Sequence, residues 1–317
     1  MKKNYLYIYF HVPKCGGSTI RRHLMKNFKP SEAVFISYPR LNLDNSINKK
    51  ELITEHVDKY LLRFTASEKE KIKVIYGHTV PYGIHKHFKR PARYFTFVRK
   101  PNKRTISLYN FYRTMYLRED IIGRKRDHYY LELLTGGKVP SFGNWCIEKY
   151  RNPDFPVATM FQFMKEFGYI DEAKDSNYQI NEMIKKFYFI GLMENYSDDV
   201  MYMYKNLGIN KYFKSENKSI NFVSNGYSKK TGNYLAKKNQ LDEIIYKKAA
   251  EKNAIFKKNN RYFYEDVKQI KRRRMFTLPI TQILYDFTWT LQSVSIYLKQ
   301  RSKLYLKVWS YIRGIQR

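Results

Sequence analysis

Residues 13–19, PKCGGST, bring together a lysine, two adjacent glycines and two hydroxyl side chains. Glycines let a backbone approach a ligand closely, and the N–H groups at the start of a helix bind anions such as phosphate. Lys14 adds a full positive charge, and Ser18 and Thr19 add hydroxyl donors. The Walker spacing G-x-x-x-x-G-K-[ST] is absent, because the lysine precedes the glycines. The pattern predicts an anion-binding loop and disfavours a nucleoside triphosphate kinase; an ordinary tight turn is the alternative.

A second group of polar residues follows the apolar run 94–98. Arg99 comes directly after this run, and Ser107 lies further on, in a segment predicted to be helical from Pro101 to about residue 117. Open α/β sheets bind ligands beyond the C-terminal ends of their strands. Arg99 and Ser107 can therefore clamp a second phosphate by charge-assisted hydrogen bonds. Taken alone, Arg99 fits a surface salt bridge at least as well.

Histidine is the side chain best tuned for proton transfer near neutral pH, and the chain has seven of them. His78 ends the run VIYGH, a predicted strand whose C-terminal end lies beside the two phosphate segments. This position makes His78 the candidate general base; the alternative is a strand-end histidine bonded to a backbone carbonyl. His11 is assigned to the core or to the surroundings of the site. His85 and His87 lie in a basic segment and are assigned to the solvated surface.

These groups must be positioned by strands that end near one another. Apolar runs followed by polar turns predict strands, and their alternation with helix-like segments predicts a three-layer α/β/α fold with a central parallel sheet. The predicted strands cover 5–12, 73–76, 94–98 and 187–191. The predicted helices cover 18–28, 50–63, 101–117, 194–207 and 234–258.

The composition limits the classes of function. The chain has 317 residues, 43% of them hydrophobic, so it can bury a sizeable core. Its formal net charge of +32 favours polyanionic partners such as nucleic acid, anionic lipid or phosphorylated and sulfated ligands. Cys15 and Cys146 form no disulfide framework or metal-ligand pattern, which favours a reducing, cytoplasmic setting. The first apolar run is too short for a signal peptide, and no run of about 20 apolar residues predicts a membrane span.

The last part of the chain differs from the rest, which predicts one domain over 1–270 and a tail over 271–317. The tail has ten Lys or Arg and one acidic residue, Asp286. Apolar residues recur at 280, 284, 287, 291, 294 and 298, which predicts an amphipathic helix. Such a helix can pack on the domain, mediate self-association, or lie on an anionic membrane surface.

Two blocks of the sequence resemble the sulfotransferases that use 3′-phosphoadenosine 5′-phosphosulfate (PAPS). They are VPKCGGST after the first strand, and FVRKP with ISLYN downstream. The chain is most similar to the carbohydrate branch, which includes the heparan sulfate 2-O-sulfotransferases and their bacterial relatives. FIGLME at 189–194 adds a weaker match, and the resemblance covers roughly 5–268. It implies a P-loop-like nucleotide-binding fold. The family often has Thr where this chain has Cys15 and Asp where it has Lys100; neither change removes a group that the nucleotide needs.

The resemblance implies a role for each matching position. In the family the first block binds the 5′-phosphosulfate of PAPS, the second binds the 3′-phosphate, and a histidine at the position of His78 is the base. The first site takes Lys14, Cys15, Gly16, Gly17, Ser18 and Thr19, and the second takes Arg99 and Ser107. The implied reaction is in-line transfer of a sulfuryl group to a saccharide hydroxyl. Lys14 would stabilise the charge on the leaving nucleotide, and no metal is required.

The acceptor is implied only by the resemblance and by the charge. The resemblance implies a saccharide hydroxyl, and an acidic polysaccharide would suit the positive charge. Basic residues near the cleft in sequence are Lys86, Lys89, Arg90, Arg104 and Arg113, and aromatic candidates for stacking on sugar rings are Tyr82, Tyr109, Phe111 and Tyr112. The alternative function is a basic nucleic-acid or polyanion-binding protein without catalysis, although no recognition motif matches.

Overall fold

A computed structural model of the chain describes residues 4–36, 49–122, 140–148, 159–171, 175–213, 219–223 and 226–277, together with positions 291 and 294. The described strands are β1 (Leu6–Phe10), β2 (Ala33–Ile36), β3 (Val74–Gly77), β4 (Ala92–Val98) and β5 (Phe189–Leu192). Within the described residues they form one parallel sheet in the order β2-β3-β1-β4-β5, flanked by helices. The predicted α/β fold with a central parallel sheet is confirmed.

Helices connect these strands and cover the sheet. The described ones are α1 (Gly17–Asn27), α2 (Lys49–Leu62), α3 (Ala66–Lys71), α4 (Pro101–Ile122), α5 (Phe142–Glu148), α6 (Met160–Glu166), α7 (Ser176–Lys186), α8 (Tyr196–Leu207), α9 (Lys229–Lys238), α10 (Gln240–Asn259) and α11 (Phe263–Thr277), with 3₁₀ turns at Ile84–His87 and Met193–Asn195. Helix α10 packs on β5 and on α7, and α11 packs on α8. In these parts of the chain, every helix is too short or too polar to cross a bilayer.

Strand β1 lies at the centre of the sheet. Its residue Ile8 is opposite Ile75 of β3 on one side and Tyr94 of β4 on the other. Four of its five residues are buried, as expected for a strand with helices on both faces. The C-terminal ends of β1, β3 and β4 therefore lie at one edge of the sheet. The predicted anion-binding loop, His78 and Arg99 follow these three strands.

The predicted elements lack helix α3 and give no bounds for α5, α6 and α7, and two further differences concern β2 and the segment 234–258. Strand β2 is missing from the prediction, because its four residues AVFI lie among polar residues and pair only with β3 at the edge of the sheet. The prediction of one helix over 234–258 is wrong. Helices α9 and α10 are separate and meet at Asn239, whose φ and ψ of −100° and 14° interrupt the helical conformation.

Within the predicted tail, the structure describes residues 271–277 and positions 291 and 294. Helix α11 continues through residue 270 to Thr277, so the helix spans the predicted boundary between domain and tail. Of the apolar positions predicted for the tail, Leu291 and Val294 are helical and exposed. Positions 280, 284, 287 and 298 lie outside the described residues. The division at 270 and the role of the tail stay predictions.

A buried ion pair fixes α10 to the end of β5. Asp199 of α8 has a fully buried side chain, and the Nζ atom of Lys257, whose side chain is 11% exposed, lies 2.6 Å from Oδ1. The other oxygen, Oδ2, accepts hydrogen bonds from the Leu192 N–H at 2.8 Å and from Asn253 Nδ2 at 3.1 Å. Burial raises the pKa of Asp199, and these partners oppose that shift. The network holds the strand end from which Tyr196 reaches the predicted site.

Candidate functional site

The loop after β1, predicted to bind an anion, has left-handed backbone at two alternate residues. Lys14 and Gly16 both have left-handed conformations, with φ angles of 67° and 78°. A left-handed lysine is strained, and strain of this kind clusters at functional sites. Helix α1 begins at Gly17, and no side chain caps its first turn. Its N–H groups and the positive end of its dipole can therefore bind an anion at this loop.

Gly16 and Gly17 are required because ring side chains pack directly against them. A Cβ atom on Gly16 would lie 2.5 Å from the ring of Tyr196, whose hydroxyl donates to the Gly16 carbonyl oxygen at 3.0 Å. The Thr19 side chain bonds to the same hydroxyl. A Cβ atom on Gly17 would lie 1.8 Å from Nε2 of His11. Tyr196 supports the loop but is not among the predicted site residues; its sequence signal is its place just after FIGLME.

Lys14 is partly buried at the edge of the loop. Its Nζ atom lies 3.9 Å from the centroid of the Phe111 ring. Burial, with smaller contributions from the cations of Arg99 and Arg104, lowers the pKa of Lys14 to about 7. An anion bound at the loop would offset these effects and raise the pKa again. A pKa near 7 predicts that Lys14 is partly neutral in the free protein at neutral pH and would take up a proton on binding an anion.

We expect the affinity for adenosine 3′,5′-bisphosphate (PAP), the product nucleotide that the resemblance implies, to fall as the pH rises above 7. The pKa of Lys14 is about 7 in the free protein and higher in the complex, so binding above this pH requires proton uptake. The affinity then falls by up to about tenfold per pH unit between the two pKa values. Calorimetry at several pH values measures the affinity. Repeating it in buffers with different heats of ionisation measures the number of protons taken up on binding. Lys14→Arg keeps its charge and should remove the pH dependence; equal slopes in the two proteins would contradict the prediction.

Arg99 joins the ends of β1 and β4. Its Nη1 atom lies 3.5 Å from the carbonyl oxygen of Lys14, so the guanidinium borders the loop. Arg99 is partly exposed and can still receive a ligand. Ser107 is half-buried and lies on α4, which begins at Pro101 directly after this strand end. The structure thus places Arg99, predicted for the second site, beside the loop of the first site. Its predicted partner Ser107 lies on α4, which begins two residues after Arg99.

Arg104 lies beneath the loop, and the side chain of the loop residue Cys15 is also buried. Arg104 is fully buried, and its Nε donates to the carbonyl oxygen of Pro13 at 3.1 Å, so it cannot contact an acceptor. Its charge also lowers the pKa of the buried Asp242, against the larger effect of burial. The Cys15 thiol is fully buried, and burial raises its pKa to about 12. Cys15 can therefore reach a nucleotide only through its backbone.

His78 has a fixed tautomer. Its Nδ1 atom lies 2.8 Å from the carbonyl oxygen of His11. A carbonyl oxygen only accepts hydrogen bonds, so Nδ1 carries the proton and the neutral ring has its lone pair on Nε2. The ring is partly exposed at the edge of the sheet. The bond to a backbone carbonyl, which the sequence suggests as an alternative to catalysis, is also the bond that orients a histidine base.

Most of the other histidines and aromatic residues considered for the site bond to or pack against other parts of the protein. His85 lies 2.8 Å from a tyrosine hydroxyl, and His87 lies 2.7 Å from an aspartate oxygen. Tyr109 and Tyr112 are buried in the core, so they cannot stack on a sugar ring. Tyr82 is exposed and keeps that option.

Comparison with known proteins agrees with this geometry. A model described as "Sulfotransferase family" matches residues 1–270. A search of curated proteins found no match. The matched region contains the sheet, the loop over 13–19, His78 and Arg99. Proteins of this family transfer sulfuryl groups and typically take them from PAPS. Because the match covers most of the chain, the protein belongs to the sulfotransferase family.

Proposed function

We propose that the protein transfers a sulfuryl group from PAPS to a hydroxyl of a carbohydrate, with His78 as the general base. The observation that supports this proposal is that the C-terminal ends of β1, β3 and β4 lie side by side. The left-handed loop follows β1, and Arg99 follows β4 and borders the loop. His78 follows β3 and bonds to the carbonyl of His11, directly after β1. These groups fit a nucleotide with two anionic ends. The loop and Lys14 suit one end, and Arg99 with Ser107 suits the other.

Each residue has a defined task in this reaction. PAPS supplies the activated sulfuryl group when it is bound. Lys14 and the N–H groups at the start of α1 stabilise the negative charge that develops on the leaving side. Nε2 of His78 accepts the proton of the acceptor hydroxyl, because Nδ1 already donates to a carbonyl. Arg99 and Ser107 hold the 3′-phosphate, and this orientation lowers the barrier as it does in phosphoryl transfer.

The carbohydrate acceptor is supported by the resemblance to the carbohydrate branch and by the net charge of +32. A surplus of cations attracts acidic polymers and raises their rate of encounter. We therefore expect a polysaccharide that contains uronic acids to accept label from ³⁵S-PAPS more readily than a neutral one. A clear preference for neutral polysaccharides, or for a small phenol, would contradict this part of the proposal.

Calorimetric binding of PAP tests the donor site without knowledge of the acceptor. PAP carries the 3′-phosphate that Arg99 should bind, and ATP does not. We expect a dissociation constant in the micromolar range, about −8 kcal/mol, and a loss of about tenfold or more in Lys14→Ala and in Arg99→Ala. Lys103→Ala, an exposed cation on α4, is the control and should bind normally. No binding of PAP, or equal binding of ATP, would contradict the proposal and favour a polyanion-binding protein.

We also propose a peripheral contact with an anionic membrane through the tail over 271–317 and the part of α11 that precedes it. Helix α11 buries Phe263, Val267 and Ile270 on the side that packs on α8. Lys271 bonds to Asp198, close to the first residue of α8. The C-terminal end of α11 therefore lies near the sheet edge that holds the candidate site. A membrane bound along this helix would bring a lipid-linked acceptor to that edge.

The exposed side of α11 has the composition of a membrane-surface helix. Lys268 and Arg272 are exposed in its centre, and Tyr264 and Met275 are 64% and 76% exposed at its two ends. These four residues recur at intervals of three or four, so they share one face. Cations flanked by aromatic and aliphatic side chains are typical of a helix that lies on anionic lipid.

Vesicle sedimentation tests this contact in the full chain. Binding to vesicles that contain phosphatidylglycerol should exceed binding to neutral phosphatidylcholine vesicles. The double variant Lys268→Glu/Arg272→Glu should bind about tenfold or more weakly, because each surface cation contributes about 1 kcal/mol. Lys229→Glu/Lys230→Glu changes the same charge on α9 and is the control. Equal losses in the two double variants would show that only the net charge matters and that α11 has no special role.

A further inference from the structure

His11 contacts the proposed base in two ways. Its carbonyl oxygen accepts the Nδ1–H of His78 at 2.8 Å, and its ring stacks on the His78 ring with centroids 3.8 Å apart and planes inclined by 26°. The ring of Phe163 approaches His78 edge-on, at 6.4 Å and 85°. The N–H of His11 donates to the carbonyl of Gly77, the residue before His78, at 2.9 Å. The direction of the His78 ring is therefore largely set by His11.

The ring of His11 also touches the start of α1. A Cβ atom on Gly17 would lie 1.8 Å from His11 Nε2, so the helix backbone packs directly against the imidazole. His11 is only 8% exposed. Burial, followed by the neighbouring His78 and Lys14, lowers the pKa of His11 well below its usual range, and the ring stays neutral. The uncharged ring of His11 thus lies between the start of α1, at the predicted anion-binding loop, and the ring of His78.

We infer that His11 is a positioning residue that couples the donor-binding loop to His78. This inference rests on the proposed function, because it assumes that His78 takes the acceptor proton. The stacked ring keeps Nε2 of His78 in a fixed direction relative to the start of α1, where the donor is held. Its neutrality also matters, since a second cation in the stack would oppose protonation of His78. The contacts of Gly17 with His11 and of His11 with His78 are the path by which a donor held at the start of α1 would act on the base.

Two substitutions distinguish the contribution of the His11 ring from that of its backbone carbonyl. His11→Leu keeps the backbone bond to His78 but removes the flat ring, and His11→Phe restores a flat ring. We expect His11→Leu to lower kcat for sulfuryl transfer about ten- to a hundredfold with the KM for PAPS changed at most about threefold, and His11→Phe to recover most of the loss. His85→Leu, which removes a histidine bonded to a tyrosine hydroxyl, is the control and should leave kcat unchanged.

Imidazole NMR provides a readout that does not depend on turnover. PAP should shift the ring resonances of His78 in the wild-type protein, and the shift should be about half as large or less in His11→Leu. If His11→Leu does not fold, His11→Gln, which also lacks a flat ring, takes its place. An equal kcat loss in His11→Leu and His11→Phe, or an undiminished His78 shift, would overturn the inference. If PAP does not bind to the wild-type protein, the proposed function fails instead.

Discussion

Replacement of His78 by asparagine should slow sulfuryl transfer about 10²- to 10⁴-fold, the usual contribution of a general base. Asparagine is the informative substitute because its amide can still donate to the His11 carbonyl, as Nδ1 does now at 2.8 Å. It offers no basic nitrogen in place of Nε2. The fold around the strand end is therefore kept while proton abstraction is lost. The rate is measured as transfer of ³⁵S from PAPS to an acceptor found by screening polysaccharides.

Binding of PAP separates this loss from a structural one. His78→Asn should bind PAP within about twofold of the wild-type protein, because His78 acts on the acceptor rather than on the nucleotide. His85→Asn, at a histidine bonded to a tyrosine hydroxyl, should keep full activity. A rate loss below about tenfold in His78→Asn would show that another group is the base. A parallel loss of PAP affinity would show that His78 only supports the loop.

The largest effect on stability is expected for Lys257→Met. Asp199 is fully buried and Lys257 is its partner at 2.6 Å, so removal of the lysine leaves a buried carboxylate without a counter-charge. Breaking a buried pair in this way costs about 3–5 kcal/mol. Urea unfolding followed by circular dichroism measures the free energy of unfolding. The cost appears at β5, because Asp199 also accepts the N–H of Leu192 at the end of that strand.

A double variant shows whether the charge or the packing matters. Asp199→Asn removes the carboxylate charge, so Lys257→Met/Asp199→Asn should be more stable than Lys257→Met alone. The coupling between the two changes should amount to about 1–3 kcal/mol. Lys185→Met removes the exposed partner of Glu182 and is the control, with an expected cost below about 1 kcal/mol. If Lys257→Met also lowers the free energy of unfolding by less than about 1 kcal/mol, solvent must reach the ion pair.

The parts of the site that depend on nearby residues could be predicted from the sequence. The loop over 13–19 is specified by its glycines, and Arg99 and His78 by the apolar runs that precede them. These runs form strands because they can be buried on both faces of a parallel sheet. By contrast, AVFI in β2 is too short to stand out, and Asn239 carries no helix-breaking signal strong enough to divide α9 from α10.

The parts that depend on distant residues could not be predicted. His11 and His78 are 67 positions apart, and only the pairing of β1 with β3 brings their rings together. The low pKa of Lys14 depends on its burial, which requires the packed loop. Arg104 lies near the site along the chain, yet it faces the core. Its place on the buried stripe of α4, with Leu108 and Tyr112 at intervals of four, is the signal that would have indicated this.

The contact between Gly17 and His11 makes these two positions a matched pair in size. No space remains for a methyl group at position 17 while an imidazole occupies position 11. An alanine at 17 can be accommodated only if position 11 becomes smaller, and the stack on His78 is then lost. Changes at the two positions should therefore occur together in related chains, as compensating substitutions do in a close-packed interior. A relative with a bulkier residue at 17 would need another way to align its base.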